Sequence, residues 1–440
     1  MYMLSHGLAQ KILPTWIYNR LIGDWDRDGF KKYFFNTGWI FSARMVAYVV
    51  SFLTMAIVAR YLGPENFGKL SYAQTFVSLF SVFASLGIDQ ILLRDLVAQP
   101  EKEYELLGTA FIAKLAFGGL TLAVTIISSL IINDDLILTW LIGIIALAFV
   151  IQPFGVISQV FTAQVKSKYL AYATIVIAFL IPLCKLLVVY FNNGILFFAG
   201  VITLEALIYV LVYIYVYHYY FKRTLWQWQF SYQRLLRLLR DAWPLVLATF
   251  SSYIYARIDQ VMVQHYIDST AVGFYDIAVR LTDLLGFAPG VIVGSLFPAI
   301  VSARARDAAE YKKRFTALIW LMILLTTISA GIMFLIAPLI VSLMFGPAFT
   351  PAVALVRIYA WSMTGSLGIV LMQQYFIAEH RSQLFLLFSV TGAIVNIGLN
   401  TWFIPYFGMT GAAYATLITL TTMLGLFFIT RKWLFRLTAT

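Results

Sequence analysis

Long apolar stretches recur along the whole chain, and short polar segments separate them. Each stretch is close to the ~20 residues that an α-helix needs to cross a membrane. We place them at residues 38–60, 69–92, 107–131, 137–161, 169–190, 195–219, 243–265, 271–298, 315–340, 352–378, 384–404 and 410–430. The pattern therefore predicts an all-α polytopic membrane protein with about twelve transmembrane helices.

The composition supports this prediction and excludes a soluble fold. Hydrophobic residues make up 61% of the chain and charged residues only 12%, whereas soluble domains are about 25% charged. The net charge of +11 would suit nucleic acid if it formed a basic patch on a soluble domain. No soluble domain is predicted, so we expect no nucleic-acid partner.

The distribution of positive charge predicts the orientation of the helices. Most of the 31 lysines and arginines lie in the two terminal segments and in every second loop, while the alternate loops 132–136, 191–194 and 345–351 carry none. Under the positive-inside rule, both termini are cytoplasmic. We therefore expect a multi-pass protein of the cytoplasmic (inner) membrane.

The chain divides into two halves of six spans each. The longest segment between spans contains Ser231–Arg240, SYQRLLRLLR, which predicts a basic amphipathic helix on the inner membrane surface. The predicted parts are an amphipathic cytoplasmic segment over 1–37, a first lobe over 38–219, a linker over 220–242, a second lobe over 243–430 and a basic cytoplasmic tail over 431–440.

The two halves also carry a faint internal repeat. Tyr61, Gly68 and Ala73 recur 205 residues later as Tyr266, Gly273 and Ala278. Both segments are the predicted outer turn between the first and second span of a lobe. A half with six spans begins and ends on the same side of the membrane, so both halves have the same orientation. They are therefore expected to be related by an axis along the membrane normal.

Charged residues inside the spans are the candidates for function, because each costs about 2.5–3.5 kcal/mol near the bilayer centre. The candidates for substrate binding are Arg44, Lys114, Arg257 and Arg280. The candidates for ion or proton coupling are Glu205, Asp259, Asp276 and Asp283. No cofactor or metal is expected, since Cys184 is the single cysteine and the four histidines show no ligand spacing.

Spacing suggests how some of these charges are arranged. Asp276, Arg280 and Asp283 fall on one helical face. This face is either a set of mutually neutralising charges at a contact between helices, or the wall of a cavity in which the two acids hold the arginine in position. Arg257 and Asp259 are two residues apart, so each needs a partner elsewhere. Glu205 has no cation nearby on its helix, and it is either a neutral structural acid or part of a proton-coupled step.

Two segments resemble a known family. Residues Ala59–Gly68, ARYLGPENFG, and Leu86–Leu96, LGIDQILLRDL, are similar to the Wzx-type polysaccharide-transport flippases of the multidrug/oligosaccharidyl-lipid/polysaccharide (MOP) exporter superfamily. The number of spans, the basic middle loop and the short outer loops extend the resemblance over most of the chain.

The resemblance implies a transporter without enzymatic chemistry, built as two six-helix lobes around a cavity that opens alternately to each side. Its substrate would be an oligosaccharide on polyprenyl pyrophosphate, moved from the inner to the outer leaflet. Arginines suit a pyrophosphate because they bind phosphate oxygens in pairs. Membrane lipids, a polysaccharide polymerase and chain-length machinery would be its partners.

Two alternatives remain open. One is a multidrug or cation antiporter of the related MATE-type branch, whose cationic substrates favour a negative cavity. The other is a membrane glycan polymerase or ligase, which would usually carry a long outer loop with polar residues. The slight excess of in-span cations favours an anionic substrate.

Overall fold

A computed structural model describes residues 27–164, 166, 168–304, 308–378 and 381–437. Side chains are described within 45–430, with gaps. The predicted segments 1–37 and 431–440 lie partly outside these residues, and so does the side chain of Arg44. Within the described part of the chain every regular element is helical, as the sequence predicted.

Thirteen α-helices are described in these ranges. They are α1 Arg27–Ser85, α2 Ile88–Ala98, α3 Glu103–Ile132, α4 Leu136–Ala146, α5 Ala148–Ile151, α6 Ile157–Ala163, α7 Lys168–Tyr190, α8 Ile195–Phe221, α9 Tyr232–Tyr266, α10 Ser269–Arg304, α11 Ala308–Phe345, α12 Ala352–Ala378 and α13 Ser382–Leu437.

Two of these helices are bent at a glycine. The backbone leaves helical geometry at Gly63 in α1, where φ is 69°, and at Gly408 in α13, where φ is 60°. Positive φ costs little only for glycine, which explains the residue type at each bend. Each bend falls between two predicted spans.

Eight helical stretches in the described residues are long and apolar enough to cross a membrane. Large apolar side chains such as Ile131, Leu335 and Leu343 are exposed on them, as expected of surfaces that face lipid. The protein is therefore an all-helical, multi-pass membrane protein. The count of twelve and the orientation of the termini stay predictions.

Buried side chains form three hydrophobic cores. One, which we call the joint core, draws on both halves of the chain, from residues 56–84, 138–149, 177–201, 263–281, 330–360 and 404–413. Each of these segments flanks a loop that is predicted to lie outside. Two smaller cores belong to one half each, with residues 86–113, 156–161, 216–217 and 238–242 in the first and 293–322, 369–376 and 420–427 in the second.

The halves are thus packed together at the predicted outer end and keep separate cores at the other. The closest approach is between α1 and α10, at the two glycines of the internal repeat. A Cβ on Gly68 would lie 1.7 Å from the Ser269 carbonyl oxygen, and a Cβ on Gly273 would lie 2.3 Å from the Pro64 carbonyl oxygen. We call this crossing the glycine seam.

The linker packs against the first half of the protein, while its position on the membrane surface stays a prediction. It begins α9, and Leu238 is buried in the core of the first half. Arg234 pairs with Glu105 at 3.1 Å and Arg94 with Asp241 at 3.2 Å. Leu235 and Leu239 pack partly against the same core, whereas Leu236 remains exposed.

The glycine seam leads to a first prediction. Gly68→Ala should lower the melting temperature of the purified protein, because the added methyl group overlaps the Ser269 carbonyl and overpacking costs about 1–3 kcal/mol. Gly119→Ala is the control, since a Cβ there meets nothing within 4 Å and alanine favours a helix over glycine. Equal melting temperatures for both variants would contradict the tight seam.

Candidate functional site

The polar residues of the helices gather directly beyond the glycine seam, where α1 packs against α9 and α10. Asp276, on α10, is buried and lies at the centre of this group. Its carboxylate accepts hydrogen bonds from Ser71 Oγ at 2.8 Å and from Gln260 Nε2 at 3.2 Å. Asp276 therefore links α1 of the first half to α9 and α10 of the second half.

Arg280 lies one turn after Asp276 on α10 and pairs with it at 2.5 Å. A second nitrogen of its guanidinium donates to Gln74 Oε1 of α1 at 2.9 Å. The Arg280 side chain is 34% exposed, against 4% for Asp276. Part of the Arg280 side chain therefore remains accessible, although Asp276 is not.

Arg257, on α9, finds its partner on α10. Its Nη2 atom lies 2.8 Å from Asp283 Oδ2, and both side chains keep accessible surface, 31% and 45%. Most of the N–H groups of Arg257 remain available, because a guanidinium has five. We call Arg257, Asp276, Arg280 and Asp283 the arginine cluster.

The arginine cluster partly matches the expectation from the sequence. Asp276 and Arg280 do interact along one helical face. The two acids do not hold the same cation, however, because Asp283 pairs with Arg257. Helical spacing identifies neighbours on one helix and cannot show that a cation on a second helix is closer.

A cavity of about 300 Å³ lies between α1, α7 and α8 of the first half. We call it the side cavity. Its polar and aromatic lining includes Tyr48, Thr54, Thr174, Lys185, Glu205 and Tyr209. Lys185 and Glu205 are electrostatic neighbours, and neither forms an ion pair with a described residue.

The side cavity is close to the arginine cluster. Tyr48 lies within electrostatic reach of Asp283, Arg280 and Arg257, and Lys185 within that of Arg280. The candidate site therefore comprises two features within electrostatic reach of each other, a pair of partly accessible arginines and a polar cavity.

Asp259 lies within electrostatic reach of Arg257 but forms no ion pair with it. Its side chain is fully buried within the second half, where Tyr275 donates a hydrogen bond at 2.5 Å and Thr416 another at 3.0 Å. No cation of the described chain pairs with it. A carboxylate that is buried without a cation is costly unless it takes up a proton or a metal ion.

Lys114 lies away from the arginine cluster. It pairs with Asp89 at 2.6 Å and lines a different cavity, of about 220 Å³, with Gln152 and Gln159. The acid comes from α2, so the spacing along α3 gave no sign of it. We therefore leave Lys114 out of the binding set proposed below.

Several residues of the site were not candidates from the sequence. Uncharged Ser71, Gln74 and Gln260 hold the cluster in place, and only charges had been surveyed. The repeat contained a signal, since Ser71 and Asp276 are separated by the same 205 residues. Lys185 also lies within a predicted span, but spacing along α7 gives no link to Glu205, which lies on α8.

Comparison with known proteins assigns the sequence to a family. The model of a family described as polysaccharide biosynthesis protein matches residues 34–304. The protein named probable flippase AglR of Haloferax volcanii is 27% identical over 183 residues, which cover 38% of this chain and 36% of that protein. The succinoglycan biosynthesis transport protein ExoT of Rhizobium meliloti is 22% identical over 76% of this chain and 65% of its own length.

Solved structures share the fold. The lipid II flippase MurJ in an inward closed conformation aligns with a TM-score of 0.75 at 13% identity, over 89% of this chain and 87% of that one. An inward-facing multidrug resistance MATE transporter of the MOP superfamily aligns with a TM-score of 0.74 at 16% identity, over 89% and 96%. The chain therefore shares its fold with MurJ and with MATE transporters.

The different burial of the two Arg–Asp pairs leads to a second prediction. Asp276→Asn should reduce the yield of folded protein strongly, because losing one partner of a buried pair costs about 3–5 kcal/mol. Asp283→Asn, the matched control, should change it little, since accessible pairs contribute about 0–1 kcal/mol. Fluorescence-detected size-exclusion chromatography measures both. Similar yields would mean that Asp276 is not the structural centre of the site.

Proposed function

Because the chain belongs to the polysaccharide biosynthesis protein family, we propose that it is a flippase for glycans linked to polyprenyl pyrophosphate. It would move them from the inner to the outer leaflet of the cytoplasmic membrane by alternating access. The observation that carries the proposal is the pair of accessible guanidinium groups, Arg257 and Arg280, at the contact between the two halves.

The chemistry of the substrate fits these groups. A pyrophosphate is a compact, multiply charged anion, and planar guanidinium groups bind its oxygens in pairs. Arg257 would release Asp283 to meet the incoming phosphate, since both side chains are accessible. Arg280, held by Asp276 and Gln74, would present a fixed second contact. Arg44 would add a third from α1.

The packing of the halves supports alternating access. They share a core at one end and have separate cores at the other, so a rigid rotation of one half against the other would exchange which end is closed. With the predicted orientation the closed end is outside. This state would receive the substrate from the inner leaflet and later deliver it to polymerising and chain-length machinery outside.

A drug antiporter is less well supported, although MATE transporters share the fold. The acids of the arginine cluster are both engaged by arginines, so an incoming organic cation would meet guanidinium groups first. No observation in the described residues favours a glycan polymerase or ligase.

Asp259 is the coupling residue that we propose, because it is fully buried and has hydroxyl partners but no cationic one. Uptake of a proton or a sodium ion would neutralise it. Tyr275 and Thr416, which donate to it, lie on α10 and α13. Its charge state would therefore affect how these helices pack against α9.

The first test of the proposal removes a guanidinium group. Arg257→Gln or Arg44→Ala should reduce transport at least ~10-fold, the loss expected for one charge-assisted contact of about 1.5–3 kcal/mol. In a deletion strain, lipid-linked oligosaccharide is sorted by leaflet with a membrane-impermeant lectin. The variants should leave it on the inner leaflet, and wild-type protein should move it outside.

The control for this test is Arg357→Gln. Arg357 donates to the Phe334 carbonyl oxygen at 3.2 Å and lies over the Phe334 ring, so its loss should leave transport unchanged. Wild-type transport by the Arg257 and Arg44 variants would remove these residues from the binding set. A normal leaflet distribution in the deletion strain itself, with altered drug susceptibility, would favour the antiporter.

The second test concerns coupling. Asp259→Asn should abolish accumulation driven by an ion gradient and leave downhill exchange intact, because the amide carries no charge to be neutralised. Proteoliposomes with an imposed proton or sodium gradient measure both modes and identify the ion. Glu65→Gln, at an accessible acid, is the control. Gradient-driven accumulation by Asp259→Asn would overturn the assignment.

A further inference from the structure

The side cavity has features that neither helix packing nor phosphate binding requires. Its volume of about 300 Å³ corresponds to about ten water molecules, far more than a proton site needs. Such a space holds one pyranose ring and is too small for a long glycan. Its lining comes from three helices of the first half, so it remains with that half when the halves move.

The polar groups of the side cavity suit a sugar. Glu205 offers a carboxylate that accepts from hydroxyl groups, and Lys185 offers an ammonium group that donates to them. The hydroxyls of Thr54 and Thr174 donate to the Val50 and Leu170 carbonyls of their own helices. Because these protons are already donated, the two hydroxyls can offer a ligand only acceptor lone pairs.

Two tyrosines complete this set. Tyr48 and Tyr209 stand on α1 and α8 and contribute ring surface to the same lining. An apolar ring face with a few fixed polar groups is the usual composition of a small-molecule site. The C–H face of a pyranose is apolar while its rim is hydroxylated, so it matches both kinds of surface.

The position of the cavity decides which sugar it would hold. Tyr48 is within electrostatic reach of Arg257 and Arg280, and Lys185 within that of Arg280. The sugar attached directly to a pyrophosphate is one phosphoester bond away from it. With the pyrophosphate on the arginine cluster, this first sugar has the side cavity as its neighbouring polar space.

We propose that the side cavity is the binding subsite for the sugar attached directly to the pyrophosphate, with Glu205 and Lys185 reading its hydroxyl groups. This inference rests on the proposed function, because it takes the pyrophosphate to lie on Arg257 and Arg280. Under this proposal, the first half of the protein selects its substrate by the first sugar and not by the distal glycan.

The test compares two kinds of lipid on purified full-length protein. One is polyprenyl pyrophosphate alone, and the other is a panel of polyprenyl pyrophosphates that carry glucose, galactose, N-acetylglucosamine or N-acetylgalactosamine. Wild-type protein should bind at least one sugar-bearing lipid about 10-fold more tightly than the bare lipid, the gain from one hydrogen bond to a charged group.

Glu205→Gln should erase this preference and leave the affinity for the bare lipid unchanged. Thr174→Val keeps the shape of the side chain and removes one acceptor, so it should weaken the preference by roughly 3-fold. It provides the test if Glu205→Gln does not fold. Glu65→Gln, an accessible acid elsewhere, should retain it in full. Thermal melting establishes that each variant is folded.

The outcomes separate the two proposals. If the preference persists in Glu205→Gln and Thr174→Val, or if wild-type protein shows none across the panel, the subsite is wrong and the flippase proposal stands. If Arg257→Gln leaves binding of the bare lipid unchanged, or no lipid binds at all, the proposed function fails and the subsite with it. If Glu205→Gln binds normally and loses only gradient-driven transport, Glu205 is a proton site instead.

Discussion

The contact between Gly68 and Gly273 is the constraint on which the rest of the structure depends. With no Cβ at either position, α1 and α10 approach so closely that each glycine lies against the backbone of the other helix. Gly68 and Gly273 occupy equivalent positions of the internal repeat. Equivalent residues of two repeats come into contact only near the axis that relates the repeats. One turn further, Ser71 meets Asp276, which stands at the same separation of 205 residues. The seam and the polar cluster are therefore consecutive parts of one symmetric contact.

The seam also fixes where charge can be buried. Asp276 is tolerated without water because Ser71, Gln260 and Arg280 all donate to it, and Ser71 reaches it only while α1 and α10 remain in close contact. Separation of the halves at this end would remove the Ser71 and Gln74 contacts together. The same network that holds the halves together at this end also positions Arg280. Under the proposed function, this would link the binding of an anion to the relative position of the halves.

The sequence was sufficient for the features that depend on one helix at a time. Membrane helices, the breaks between spans in which Gly63 and Gly408 lie, and the need of Arg257 and Asp259 for partners on other helices all follow from hydropathy, residue type and spacing. The sequence did not predict a contact when the two partners lie on different helices. Lys114 meets Asp89 on α2, and Leu238 of the linker is buried in the core of the first half. These partners depend on tertiary packing, which periodicity along one helix does not encode.

The two Arg–Asp pairs differ in a way that suits a carrier better than a receptor. A site that held its anion with two buried, uncompensated arginines would bind tightly and release slowly, since burial strengthens every ionic contact. Here Arg257 is paired with Asp283, and both members are accessible. Under the proposed function, exchanging Asp283 for a phosphate and back again would change the free energy little. Arg280 is restrained by Asp276, which is 4% exposed, and it keeps its direction through the cycle. One fixed and one exchangeable arginine allow specific recognition and still permit release, and a transporter needs both.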